Sequence, residues 1–280
     1  IAGGYLAGTP MANWSRAQVL YCDGGSFSGI RDEPVIVSGS GVPAAEVNRT
    51  LYFRGQRNLN AVIDELRSRG MGTAAGGGEG GLAVLAGCSA GGLGALTQCD
   101  HFATQLPSGM KPRCIGDAGV FIDATSLHTF DGGKGVMRMQ FANIVAMQNS
   151  SLSPNCLASK HNTFNAACFF PQNTLPTQQT PTFVRNSFYN YGEWEVLPQN
   201  WHNSHNFSQG PSPMGGWKNP YSNSSGTCAW ETARTDNSTA DGCDPAQHSV
   251  MRRFQEEFSA AMAPVLNASS PHGCFIDNCA

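Results

Sequence analysis

Ser89 stands in Gly87-Cys88-Ser89-Ala90-Gly91-Gly92, directly after the apolar run Leu82-Ala83-Val84-Leu85-Ala86. A strand that ends in this pattern is the signature of a nucleophile held on a sharp strand-to-helix turn. A serine hydroxyl in water is a poor nucleophile. It becomes useful when a base can reach it and backbone N–H groups face the oxyanion that develops on an attacked carbonyl. The neighbouring residues fit such an arrangement, since Gly87 and Gly91 leave room for a strained turn and close backbone approach, and Ala90 offers the N–H that follows the nucleophile. The chemistry this implies is acyl transfer. A helix predicted over Gly92 to Phe102 supplies the other half of the context that a short G-x-S-x-G pattern needs.

A hydroxyl perched in this way needs a sheet beneath it, and the chain reads as alternating strands and helices. Ala17 to Tyr21 reads as a short strand. Leu59, Val62, Ile63 and Leu66 then fall at helical spacing before Gly70 supplies a stop. Gly70 to Gly81 is so rich in glycine that a mobile surface loop with nothing to pack is expected, and no Lys-Ser/Thr follows it as a phosphate loop would require. Cys114 to Asp123 and Thr182 to Val184 read as further strands. Asp244-Pro245 suits the start of a helix whose Val250, Phe254, Phe258, Met262 and Val265 form a core stripe. The order predicts an α/β class with a mostly parallel sheet and helices on both faces. One domain spans 1–280 without repeats or linkers, and a polar excursion at about 199–243 is expected to be held by Cys228 and Cys243. Trp194, Trp201, Trp217, Tyr221 and Trp230 suit either a sugar-stacking platform or the packing of that excursion.

The chain has 280 residues and 40% hydrophobic content, enough to bury a core without staples. It nevertheless carries ten cysteines, none in a C-x-x-C pair and none clustered with histidines at zinc-like spacing. Disulfides are therefore the better reading, and a metal framework is not expected. The glycan acceptor pattern recurs at Asn13, Asn48, Asn149, Asn206, Asn223, Asn237 and Asn267. Together these point to a secreted glycoprotein. With net charge −3, 13% charged residues and no basic cluster, neither nucleic acid nor an anionic membrane is expected as a partner. No apolar run approaches the ~20 residues of a membrane span. The chain starts at Ile1 without a signal peptide and ends abruptly after Cys279-Ala280, which reads as a fragment.

Longer blocks carry a resemblance. Tyr21-Cys22-Asp23-Gly24-Gly25-Ser26-Phe27-Ser28-Gly29, Phe53-Arg54-Gly55, Gly87 to Leu93 with Cys99-Asp100, Asp117-Ala118-Gly119 and Cys168-Phe169-Phe170-Pro171-Gln172-Asn173 are similar to the pectin acetylesterase family, which also includes the animal carboxylesterase Notum. The similarity runs in order from about Trp14 to Ala280. It implies an α/β-hydrolase-like fold and ester hydrolysis by a Ser/Asp/His triad, with Ser89 in the nucleophile position and no metal or organic cofactor. The plant-type branch acts on acetylated pectin, and Cys168 to Asn173 resembles that branch more than the Notum branch. The implied protein is a secreted, monomeric cell-wall esterase with acetylated polysaccharide as its substrate.

Two departures from the family pattern stand out. The family's triad acid is an Asp after the strand that follows Cys168 to Pro171, and Tyr189-Asn190 occupies that place here. An amide can orient an imidazole but cannot stabilise its charged form, so either Asn190 is a weaker orienter or nearby Glu193 supplies the carboxylate. The resemblance also places the catalytic histidine just beyond the match to Cys279, outside this chain, and places a Gly-Gly-Gly-Trp segment upstream that would complete the oxyanion hole with Ala90. These 280 residues alone are therefore expected to turn over an ester poorly. Within the chain, the order Ser, acid, His admits His202, His205, His248 and His272, of which His272 is the leading internal candidate. Asp23, Asp100 and Asp117 suit caps or loop tethers better than chemistry. Two rival readings are a catalytically inactive glycan-binding cell-wall protein and a lipid-ester deacylase of the Notum kind.

Overall fold

The computed structural model describes residues 8, 11–37, 48–73, 80–124, 136–187, 245–266 and 270–277. Four parallel strands form the central sheet in the order β3-β4-β5-β6, comprising Leu82–Cys88, Lys111–Asp117, Thr182–Ser187 and Gly273–Asp277. A two-stranded antiparallel ribbon, β1 (Val35–Ile36) with β2 (Thr50–Leu51), stands apart. The helices are α1 (Gly55–Ser68), α2 (Ala90–Thr97), α3 (Cys99–Gln105), α4 (Val136–Gln148), the single turns α5 (Pro154–Leu157) and α6 (Pro171–Thr174), and α7 (Pro245–Leu266). Parallel strands joined by helical crossovers give the α/β-hydrolase-like class expected from the sequence.

Because side chains alternate along a strand, the register puts Ala83, Leu85, Cys114, Val184, Cys274 and Ile276 on one face of the sheet. That face meets α1 and α3 through Leu59, Ile63 and Phe102, and meets α2 and α7 through Leu96, Phe254, Phe258, Met262 and Val265. A third layer, Met137 and Phe141 of α4 with Phe169 and Phe170, packs on Leu93 of α2. Among the described residues the helices thus cover one face. The other, where helices were expected as well, presents Leu82, Phe183 and Phe275 at 47%, 45% and 56% exposure.

Several local expectations change. Ala17 to Tyr21 is not a strand: Leu20 is 72% exposed and the segment pairs with no described strand, so no ladder satisfies its backbone. The helix after Ser89 is two helices, broken at Gln98, whose buried amide is fixed by Gln56 and by the Ser151 carbonyl. The strand predicted over Cys114 to Asp123 starts earlier and stops at Asp117, because Ala118 turns into the left-handed region at φ 47°. The glycine-rich tract is not wholly without packing. Met71 joins the cluster around Leu59, and a methyl group on Gly72 would lie 2.6 Å from Pro107. Residues 74–79 lie outside the described residues, as does the 199–243 excursion with Cys228 and Cys243. Disulfides join Cys99 to Cys114 and Cys156 to Cys168, whereas Cys22, Cys88 and Cys274 are free thiols.

Candidate active site

All four sheet strands run in one direction, so their carboxyl ends form a common rim, the edge at which α/β folds place their ligands. Ser89 follows the last residue of β3 and precedes the first of α2. Its φ of 55° and ψ of −123° lie where only glycine sits comfortably, at a cost of roughly 1–3 kcal/mol that the surroundings must hold. The side chain is exposed. The Ser89 N–H donates to the Asp117 carbonyl across the β3–β4 step at 2.9 Å, and the Ser89 carbonyl accepts from Leu93 N–H at 2.9 Å. The residue is thus clamped between sheet and helix, with its hydroxyl outside both. The N–H groups of Ala90, Gly91 and Gly92, in the first turn of α2, have no acceptor within the helix and stand at its positive end. Donors so placed suit an oxyanion.

The glycines divide the work differently from the sequence expectation. A methyl group on Gly87 would lie 2.1 Å from the Gly91 carbonyl oxygen, so glycine is required there. Gly91 is open, with nothing within 4 Å among the described residues, and the requirement falls instead on Gly92 and Gly119. A methyl group on Gly92 would lie 2.5 Å from the Asp117 carbonyl oxygen, and one on Gly119 2.3 Å from the Gly92 carbonyl carbon. Helix α2 therefore touches the turn after β4 backbone to backbone.

The three aspartates serve as tethers, as the sequence suggested. Buried Asp23 accepts from the N–H groups of Gly25, Phe27 and Gly29, folding residues 23–29 into a knot in which Gly24, Ser26 and Phe27 all have positive φ. That knot leans on α2, where a methyl group on Gly94 would lie 2.9 Å from the Ser26 carbonyl oxygen. Gln148, buried at the end of α4, braces it by donating to the Asp23 carbonyl at 2.8 Å. Asp100 accepts from the N–H groups of Gln179 and Thr180 just before β5. Asp117, nearly buried, takes a 2.9 Å hydrogen bond from Arg185 of β5. The Gly92–Gly119 contact and the Asp117–Arg185 pair have no signal in a single sequence beyond the glycines and charges themselves.

His272 is not placed to serve Ser89. It precedes β6 at the level of Thr182 and Leu85, four residues below Ser89 and three strands across, which is about 19 Å by strand geometry. Burial lowers its pKa below the usual histidine value, with the Gln178 and Leu175 backbone opposing that shift. His101 is bound to Asn60 between α3 and α1 at 2.7 Å, and burial lowers its pKa as well. His248 lies on α7. Asn190, Glu193, His202, His205 and the aromatic residues from Trp194 to Trp230 lie outside the described residues. Strand β5, which ends three residues before Asn190 in the chain, lies two strands from the nucleophile strand. No described group of His, Cys, Asp or Glu side chains assembles as a cation site, and no described helix is long and apolar enough to cross a membrane.

Comparison with known proteins matches residues 9–280 to the Pectinacetylesterase family. Pectin acetylesterase 11 of Arabidopsis thaliana is 32% identical over 282 residues, covering 100% of this chain and 60% of that relative. Pectin acetylesterase 7 of the same plant is 31% identical over 281 residues with the same coverages. This chain thus spans 60% of the length of these relatives. Two crystal forms of the Wnt deacylase Notum from Drosophila superpose with TM-scores of 0.59 and 0.60, at 18% and 19% identity, over 91% of this chain and 56% and 57% of theirs. At that identity they establish a shared fold.

Proposed function

Because this chain belongs to the pectinacetylesterase family, we propose that it is the nucleophile-bearing part of a secreted serine carboxylesterase that removes acetyl groups from cell-wall pectin. The observation that carries the reading is the exposed, strained Ser89 at the sheet rim, with the first-turn N–H groups of α2, which have no acceptor within the helix, beside it. Ser89 Oγ attacks the acetyl carbonyl, and the oxyanion that forms is met by Ala90 N–H. A histidine beyond the end of β6 takes the hydroxyl proton and returns it to the departing sugar oxygen. The acetyl group is left on Ser89, and a water deprotonated by the same imidazole then releases acetate. Strand order is compatible with this division of labour: the nucleophile follows β3 and the acid position comes after β5 in the chain, and a base beyond β6 would complete the chain order Ser, acid, His. Asn190, or Glu193 three residues on, orients the imidazole.

The substrate assignment rests on the named activity of the Arabidopsis relatives. The test is acetate release from acetylated pectin by the protein at its full natural length, beside its Ser89→Ala variant. Release that stops with the substitution supports the reading, and release that persists unchanged excludes Ser89 as the nucleophile. Failure of the native protein to release acetate would favour the inactive, glycan-binding reading.

A further inference from the structure

We propose that the Asp117–Arg185 pair is a clip that fixes the nucleophile turn relative to the strand leading to the acid position, making both of them positioning residues for ester hydrolysis. The inference rests on the reading of Ser89 as nucleophile. Strand β4 lies between the strand that carries Ser89 and the strand that leads to Asn190, so the spacing of the two depends on what happens at the end of β4. Asp117, its last residue, is bonded in both directions: its carbonyl accepts Ser89 N–H at 2.9 Å, and its carboxylate accepts Arg185 Nη1 at 2.9 Å. The next residue closes the loop. Ala118 N–H donates to the Arg185 carbonyl at 2.7 Å, held in a left-handed conformation with φ 47°. Arg185 thus grips the Asp117-Ala118 corner by side chain and main chain at once. The corner cannot drift without moving α2, because Gly92 and Gly119 touch backbone to backbone.

The pair is lopsided: the Asp117 side chain is 10% exposed and that of Arg185 60%. Exposed ion pairs add little to stability, and Asp117→Asn removes the nearly buried charge together with the pair, so no uncompensated buried carboxylate is left behind. Loss of the pair should therefore weigh on geometry more than on folding, and a displacement of ~1 Å at a reacting group can cost about 100-fold in rate.

The test uses the protein at its full natural length, with Asp117→Asn and Arg185→Gln as the breaking variants and Arg185→Lys as the conservative one. A fluorophosphonate probe reads two quantities: the labelling rate reports the reactivity of Ser89, and the final extent reports the folded fraction. The clip predicts a rate at least tenfold lower in both breaking variants with full extent, kcat reduced while KM holds, and partial recovery in Arg185→Lys. A merely structural pair would lower the extent and the melting temperature while leaving the rate of the folded remainder unchanged, and that result overturns the proposal, as do rates within twofold of native. Amide exchange at Ser89, whose N–H depends on the Asp117 carbonyl, reads the clip without turnover: it should quicken in Asp117→Asn, and unchanged protection overturns the proposal even if the native protein never labels. Absence of labelling in the native protein strikes the nucleophile assignment instead.

Discussion

Two adjacent glycines should respond oppositely to the same substitution. A methyl group added at Gly92 meets the Asp117 carbonyl oxygen at 2.5 Å and Gly119 Cα at 2.9 Å. Both are main-chain atoms, so no side chain can swing aside. Relief requires α2 and the turn after β4 to separate by about 0.9 Å, to the 3.4 Å at which ordinary contact begins. Overpacking of that kind costs roughly 1–3 kcal/mol, and about 2 kcal/mol lowers the melting temperature of a chain this size by roughly 3 °C. The displaced turn carries Ser89, whose carbonyl is bonded to Leu93 N–H, so a shift near ~1 Å should slow its acylation by about 100-fold. A methyl group added at Gly91 meets nothing within 4 Å among the described residues, and alanine in a helix is favoured over glycine by about 0.5 kcal/mol. Gly91→Ala should therefore melt at or slightly above the native temperature and label at the native rate. Differential scanning calorimetry and fluorophosphonate labelling of both variants, at full natural length, give the comparison. Melting temperatures within ~1 °C of each other together with equal labelling rates would refute the claim that close backbone contact sets the turn.

The other expectations concern stability, cross-links and the acid. His101 and His272 both have pKa values lowered by burial, so the unfolded chain binds more protons than the folded one. Stability should be full above the unfolded value of ~6.5 and fall as pH drops through it toward the folded values. Melting curves from pH 8 to 5 should show that decline, and Gln at both positions should flatten it; an identical slope in the double variant counts against the assignment. Replacing Cys99 and Cys114 together by Ser opens a loop of sequence separation 15 and should cost about 3 kcal/mol by chain entropy, read as a lowered denaturant midpoint with little change in slope. Glu193→Gln decides the orienter: near-abolished kcat with KM unchanged identifies the glutamate as the acid, whereas near-native turnover leaves the role to Asn190.

The turn that carries Ser89 was legible because its geometry is local. A serine between an apolar strand and a small-residue helix start can be read from spacing alone, and Ser89 is found where that spacing put it, exposed at the sheet rim. The buried stripe Phe254, Phe258, Met262 and Val265 was equally visible as a period of three to four residues. What could not be read depends on contacts between distant residues. Gly91 and Gly92 look interchangeable in sequence, and only the turn 27 residues later at Gly119 distinguishes them. The break at Gln98 is set by Gln56 and Ser151. Ala17 to Tyr21 has strand-like residues and no described neighbour to pair with, because strand propensity measures fit to a sheet rather than an intrinsic preference. His272 looked suitable by chain order, yet register places it at the opposite end of the strands from Ser89.

The central claim, that Ser89 is an activated nucleophile, is tested most directly by incubating the full-length native protein with a fluorophosphonate and mapping the modified peptide by mass spectrometry. A single adduct is expected on Ser89 within the peptide spanning Gly87 to Leu93, absent after heat denaturation and absent in Ser89→Ala. An adduct on another residue, or none on protein that demonstrably releases acetate from pectin, would contradict it.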